Sequence, residues 1–289
     1  MDTIQELARA KVNLTLRVVG RRADGYHEIQ SLVVFADVGD VLTLRVGADA
    51  AVAVEGPFAS GIVGENLVAR TLERLAATEP ALRLGSVTLQ KNIPIAAGLG
   101  GGSADAAALL RAVRRANPEF ATRVDWHRIA AGLGADVPVC LDQMPAQMWG
   151  IGDRLRPVPN LPRLDAVLVR PAVTAPPDKT AQVFRQLAAR PIGATTGEPV
   201  PLPGFASGED LLAYVTANGN DLEPAARLAM PDAAEAERVL IGSGCRLARM
   251  SGAGPSWFGL FETRDQADAA AGKISHAYPD WWVRSVTLG

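Results

Sequence analysis

Residues 94–105 read PIAAGLGGGSAD, with glycine at 98, 100, 101 and 102 and serine at 103. Glycine admits positive φ and lets another group come close to the backbone. The run follows a strand-like segment, SVTLQKNIP, and opens an alanine-rich stretch, AAALLRAV. Free N–H groups at a helix start, with the positive end of the helix dipole, make an anion site, and phosphate is its natural occupant. A flexible turn or a tight helix-packing corner would explain a lone Gly-Gly. Four glycines at a strand-to-helix junction favour phosphate. Three common phosphate loops fail here. A P-loop needs Lys-Ser/Thr after its last glycine, and Gly102 is followed by Ser103-Ala104. The dinucleotide pattern begun at Gly98 needs glycine or a small apolar residue at 103. The protein-kinase catalytic and metal-binding signatures are missing.

Other polar islands could serve the same chemistry. In AKVNLTLR, Val12, Leu14 and Leu16 share one strand face, so Lys11, Asn13 and Thr15 share the other. Alone, that second face reads as solvated. DGYHEIQS sets Tyr26 beside His27, a pair that taken alone is more often structural than ligand-binding. LGADVPVCL puts Asp136 just beyond a helix that ends near Gly134, where an aspartate ordinarily serves a turn or cap. MSGAGPSWFGLF is a glycine turn between strands, explained as well by a β-turn as by a phosphate contact.

The 289 residues suffice for one large domain or two ordinary ones, and a formal charge of −2 gives no basic surplus for nucleic acid. Cys140 and Cys245 lie far apart without metal-ligand spacing, which suits a reduced compartment. The N-terminus has no apolar signal core, and no run approaches the roughly 20 apolar residues of a membrane span. A soluble, cytoplasmic protein is expected, without nucleic-acid or membrane partners.

The elements that must position the polar residues mix strand and helix without a repeat. AKVNLTLRVVG alternates, and SLVVFADVGDVLTLRV reads as two strands joined at Val38-Gly39-Asp40. ENLVARTLERLAA is a helix with Leu67, Leu72 and Leu75 on one face. Helices are expected from about Ser103, its first residue or cap, to Arg115, and from about Asp125 to Leu133. The proline-rich GDRLRPVPNLPRLD is the expected domain boundary. Beyond it come a strand (DAVLVRP), a helix (KTAQVFRQLAAR) and a mobile loop over 191–208. Helices near 222–228 and 232–240 follow, then strand, glycine turn, strand, helix (RDQADAAAGKIS) and strand (WWVRSVTL). This mixture without strict βαβ alternation predicts α+β layers in two domains.

Together the islands say more than each alone. Lys-x-Asn on the first strand, the Pro-x-x-x-Gly-x-Gly-Gly-Gly-Ser loop, Gly-Ala-Asp-Val-Pro and a late Ser-Gly-x-Gly, in that order, resemble the GHMP small-molecule kinase superfamily. Within it, AKVNLTLRVVGRRADGYHEIQSL, NIPIAAGLGGGSADAAALL and LGADVPVCL resemble the 4-diphosphocytidyl-2-C-methyl-D-erythritol kinases of the non-mevalonate isoprenoid pathway. The likeness is close over residues 8–142 and looser from 165 onward.

The resemblance implies a two-domain α+β architecture with the active site in the cleft between domains. Residues 1–155 would be the ATP-binding domain and 163–289 a C-terminal domain of ferredoxin-like layers. It implies ATP-dependent phosphorylation of a cytidine-linked tertiary alcohol, with Mg2+ as cofactor and no protein ligand to the metal identified. The ATP-binding segment would comprise Pro94, Ile95, Ala96, Ala97, Gly98, Leu99, Gly100, Gly101, Gly102, Ser103 and Ala104. Asn66 and Leu67 match the adenine-pocket segment, although Asn66 reads equally as a helix cap. Asp136 matches the catalytic base, and Lys11 the catalytic lysine that would polarise the hydroxyl or γ-phosphate. Tyr26 and His27 match the cytidine-recognising positions, Asn13 would hold substrate polar atoms, and Phe184 resembles the second aromatic around the base. Two departures stand out. TAPPDKT is longer than the usual segment before Thr180, and AQMWGIGDRL brings Trp149 to a place that is often alanine- and glycine-rich.

The nearest rival is a mevalonate- or sugar-type kinase of the same superfamily. Tyr26-His27 argues against it, since such substrates carry no base. A nucleotide-binding regulator without catalysis is opposed by the presence of both Lys11 and Asp136, and a dehydrogenase by the failed dinucleotide pattern. The sequence leaves the oligomeric state open.

Overall fold

The alternating segment near Lys11 is part of a much longer strand. In the computed structural model, which describes residues 2–61, 66–176, 178–193 and 197–289, β1 runs Thr3–Arg21 and β2 His27–Val46. The expected join at Val38-Gly39-Asp40 does not exist, because β2 passes straight through it. Gly39 serves close approach instead of a turn: a Cβ there would lie 2.3 Å from the Ala8 carbonyl oxygen of β1.

By contacts the chain forms two units, each discontinuous in sequence. The first holds Met1–Lys11, Val38–Ile95 and Gly100–Gln143. It contains β3 (Val52–Glu55), α1 (Leu67–Thr78), β4 (Gly85–Gln90), α2 (Gly101–Ala116), α3 (Trp126–Ala131) and α4 (Val137–Asp142). β4 pairs antiparallel with the second half of β2, Val41 opposite Gln90 through Val46 opposite Gly85, and parallel with β3. On α1 the buried face is Val68, Thr71, Leu72 and Leu75, with Leu67 half-buried at its start. Each buried leucine contributes roughly 1.5–3 kcal/mol of transfer free energy. The alanines of α2 face inward at 104, 106, 107, 108, 112 and 116, and α2 packs against α1, α3 and α4. Small side chains let these helices come close.

The second unit holds Val12–Asp37, Ala96–Leu99 and Met144–Gly289. The proline-rich stretch 152–165 lies wholly inside it and carries β6 (Arg154–Pro157), paired to β5 (Ala146–Gly150), which in turn pairs with the first half of β2. β7 (Leu164–Arg170), β8 (Leu247–Met250), β9 (Trp257–Phe261) and β10 (Trp282–Leu288) stand in the order β10-β7-β9-β8, all neighbours antiparallel. The unit's helices are α5 (Lys179–Leu187), α6 (Gly208–Ala217), α7 (Glu223–Ala229), α8 (Glu235–Gly242) and α9 (Arg264–Ala277). The apolar faces of α5, α7, α8 and α9 build a core with Val167, Val169, Met250, Trp257 and Val283. Within the loop expected at 191–208, residues 194–196 lie outside the described residues, and the rest of 191–207 carries no helix or strand beyond a bridge at Pro191.

Candidate active site

Lys11, Asn13 and Thr15 do not line a solvated face: all three are buried, as are Val12, Leu14 and Leu16. Both faces of β1 are covered here. Burying an ammonium requires partners, and Lys11 Nζ donates to Asp136 Oδ2 at 3.0 Å, with the lysine side chain 6% and the aspartate 34% exposed. Asp136 occupies the cap position of α4, yet its side chain caps nothing. Pro138, at the second helical position, has no N–H to offer. The carboxylate thus keeps one oxygen on Lys11 and remains partly open to solvent.

The glycine loop divides into two kinds of glycine. Gly98 (φ 82°) and Gly100 (φ 66°) are demanded by the protein itself. A Cβ on Gly98 would lie 2.6 Å from the Gly254 carbonyl oxygen, and one on Gly100 would lie 3.1 Å from Lys11 Cβ. Gly101 and Gly102 belong to the first turn of α2, with Gly100 as its cap. Ser103 is therefore neither the first residue nor the cap; the helix starts two residues earlier because glycine supplies the left-handed cap conformation. Nothing lies within 4 Å of a Cβ built on Gly102. The N–H groups of Gly101, Gly102 and Ser103 have no acceptor among the described residues, as expected for the first turn of a helix. Pro94, Ala97, Leu99 and Ala104 are buried, Ile95 is half-buried and Ala96 is exposed.

Beneath this turn lies a cluster that sequence reasoning missed. Lys91 Nζ, at the end of β4, donates to Asp105 Oδ2 at 2.7 Å and also to Asp40 Oδ2. Asp40 Oδ1 accepts from the N–H groups of Asn92 (2.5 Å) and Ile93 (2.8 Å). A Cβ on Gly101 would lie 3.6 Å from Lys91 Nζ. Burial alone would lower the Lys91 pKa, but the charges of Asp105 and Asp40 outweigh it and hold it above the ordinary value. Burial, with repulsion from Asp40, pushes Asp105 up to about 8 against the pull of Lys91. The cluster fixes the strand end and the helix start between which the glycine loop hangs. A lysine and an aspartate flanking the loop, Lys91 and Asp105, were its only signal in the sequence.

Asn66 caps α1: its Oδ1 accepts from the Val68 N–H at 2.9 Å. Its Nδ2 is buried without a partner among the described residues, so the cap leaves a donor unused. Asn13 Nδ2 donates to Ser31 Oγ at 2.8 Å, while its Oδ1 is buried without a partner and lies 3.3 Å from a Cβ built on Gly252. His27 and Phe184 stack with ring centroids 4.6 Å apart and planes 27° from parallel. Burial, then the charge of Arg21, lowers the His27 pKa. Tyr26 is 61% exposed, a phenol ring with open faces next to that stack in sequence. Trp149 is buried on β5, with the Arg156 guanidinium 5.5 Å from its ring centre.

Comparison with known proteins identifies the family. Residues 66–146 match the model of the GHMP kinases N terminal domain, and 206–280 that of the GHMP kinases C terminal. The chain is 46% identical to the 4-diphosphocytidyl-2-C-methyl-D-erythritol kinase of Parvibaculum lavamentivorans, over 99% of this chain and 98% of that one. A crystal structure of 4-(cytidine 5'-diphospho)-2C-methyl-D-erythritol kinase is similar with a TM-score of 0.77 at 32% identity, covering 99% of both chains. Mevalonate kinase from methicillin-resistant Staphylococcus aureus shares the fold, with a TM-score of 0.60 at 15% identity over 99% of each chain. No described helix is long and apolar enough to cross a membrane. This chain belongs to the 4-diphosphocytidyl-2-C-methyl-D-erythritol kinases, a branch of the GHMP kinases.

Proposed function

We propose that this chain transfers the γ-phosphoryl group of ATP to the 2-hydroxyl of 4-diphosphocytidyl-2-C-methyl-D-erythritol, with Asp136 as the base. The observation that carries the reading is a carboxylate at a capping position that caps nothing, paired to a buried lysine, with Gly100 of the loop packed on that lysine. In such a transfer the protein mostly positions groups and offsets charge. The free N–H groups of Gly101, Gly102 and Ser103 take phosphate oxygens of ATP. Asp136 accepts the proton of the attacking hydroxyl as its oxygen bonds to the γ-phosphorus. The bond from that phosphorus to the β,γ-bridging oxygen breaks, and ADP leaves with the electron pair. Lys11 offsets the charge gathered on the transferring group. The unused Nδ2 of Asn66 faces adenine, the unpartnered Oδ1 of Asn13 takes a substrate donor, and Tyr26 with the His27–Phe184 stack holds cytosine.

Magnesium takes oxygen ligands and is held by substrate phosphates with one or two carboxylates. The Ser103 hydroxyl, in the same first turn of α2 as the free N–H groups of Gly101 and Gly102, is an oxygen donor and would hold the ion beside the phosphates. When bound, it would neutralise charge on the ATP phosphates. The testing experiment is an ATP-turnover assay with the cytidine-linked methylerythritol, mevalonate and galactose as separate acceptors. Turnover confined to the first is expected; preference for either of the others would overturn the substrate assignment.

A further inference from the structure

Lys179 opens α5 and is 5% exposed, and no carboxylate lies within ion-pair distance of it among the described residues. Its Nζ donates to the Ala96 carbonyl at 2.9 Å and to the Gly254 carbonyl. A buried ammonium held only by neutral carbonyls is costly, and burial, with repulsion from Arg170, pushes its pKa down to about 8. A methionine would fill the same space without that cost.

What the lysine holds gives the reason. Ala96 has φ 54°, a left-handed conformation that a residue with a Cβ keeps only where its surroundings fix it. The next two carbonyls are also tied to the late glycine turn. Ala97 O accepts from the Ser256 N–H at 3.0 Å, and Gly98 O accepts from Ser251 Oγ at 3.1 Å. In a trans peptide the N–H points opposite to the C=O. Three successive carbonyls bound on one side therefore turn the N–H groups of Ala97, Gly98 and Leu99 to the other.

We infer that Lys179 is a positioning residue for ATP: its ammonium clamps the head of the glycine loop to the Ser251–Ser256 turn and so aims the loop's N–H groups at phosphate. The inference rests on the reading of that loop as the phosphate site. Lys179 itself touches no reacting atom.

The test is Lys179→Met, which removes the donors and keeps the bulk. It is expected to fold, with a melting temperature no lower than that of the unsubstituted chain, since a buried charge is gone. Its KM for ATP should rise about tenfold or more, the scale of one lost charge-assisted hydrogen bond. Its KM for the cytidine substrate should stay within about twofold. If Lys179→Met does not fold, Lys179→Gln, which keeps N–H donors on a shorter stem, is read by the same split. Unchanged KM for ATP in a folded variant overturns the clamp, as does an equal rise in both KM values. Gly102→Val separates the two failures. If it abolishes ATP binding while Lys179→Met does not, the clamp alone is wrong; if neither affects ATP, the phosphate-loop reading falls with it.

Discussion

Lys11 Nζ lies 3.0 Å from Asp136 Oδ2, and the lysine is the buried partner while the aspartate reaches solvent. The asymmetry suits a base that must meet a substrate hydroxyl. Asp136→Asn keeps the shape and removes the proton acceptor, so turnover should fall roughly 10²–10⁴-fold with ATP affinity retained. Turnover of the purified, folded variant close to that of the unsubstituted chain would remove Asp136 from the reaction. Lys11→Met should cost turnover as well, and the double variant should lose less than the two losses multiplied, because the groups act as a unit.

The glycines make separable predictions. Gly98→Ala and Gly100→Ala force a Cβ onto a backbone with positive φ and against neighbours at 2.6 and 3.1 Å, so both should lose stability. Gly102 is exposed, helical and has open space around it, so Gly102→Ala should stabilise α2 by up to about 1 kcal/mol. Gly102→Val should likewise fold, yet its branched side chain stands where a phosphate would approach the N–H. Titration calorimetry should show ATP affinity strongly reduced in Gly102→Val. Intact affinity would mean that the phosphate does not come to this turn.

The glycine loop was legible in sequence because its glycine spacing is a local pattern, whereas Lys11 and Asp136 were picked out only through the likeness of their strings to a known family. The strand through Val38-Gly39-Asp40 was not. Gly39 looks like a turn residue unless Ala8 of the neighbouring strand is known to press on it. The burial of Lys11, Asn13 and Thr15 was hidden for the same reason, since alternation names two faces and cannot say that both are covered. Lys179 had no signal at all: its partners are backbone carbonyls 83 and 75 positions away. Local propensity shows where elements lie, and long-range contact decides what their polar residues do.

Asp105 gives a pH prediction. Its pKa in the fold, about 8, stands above the ordinary carboxylate value, so the folded state holds this proton more tightly than the unfolded chain does. Its contribution to stability is therefore fully present below about pH 4, declines as pH rises and is lost above about pH 8. Melting temperatures from about pH 5 to about pH 9 should fall more steeply for the unsubstituted chain than for Asp105→Asn, which cannot ionise. Parallel curves would show that Asp105 does not titrate in this range.

The cytidine assignment is tested by the contrast between Tyr26 and His27. Tyr26 is 61% exposed and its ring stacks on no other ring among the described residues, so Tyr26→Ala should change stability by no more than about 0.5 kcal/mol. His27 stacks on Phe184, and His27→Ala should cost about 0.5–1.5 kcal/mol from the lost ring pair alone. If both residues grip cytosine, each variant raises the KM for the cytidine substrate. One lost stacking partner, at about 1–3 kcal/mol, corresponds to roughly 5- to 150-fold. The effect should fall on KM with kcat nearly kept, because contacts to the base change little between ground state and transition state. CMP should compete with the substrate in the unsubstituted chain and compete poorly in Tyr26→Ala. Because Tyr26→Ala barely touches the fold, its KM reports binding alone. A rise in the ATP KM, with the cytidine KM unmoved, would place these side chains at the other nucleotide.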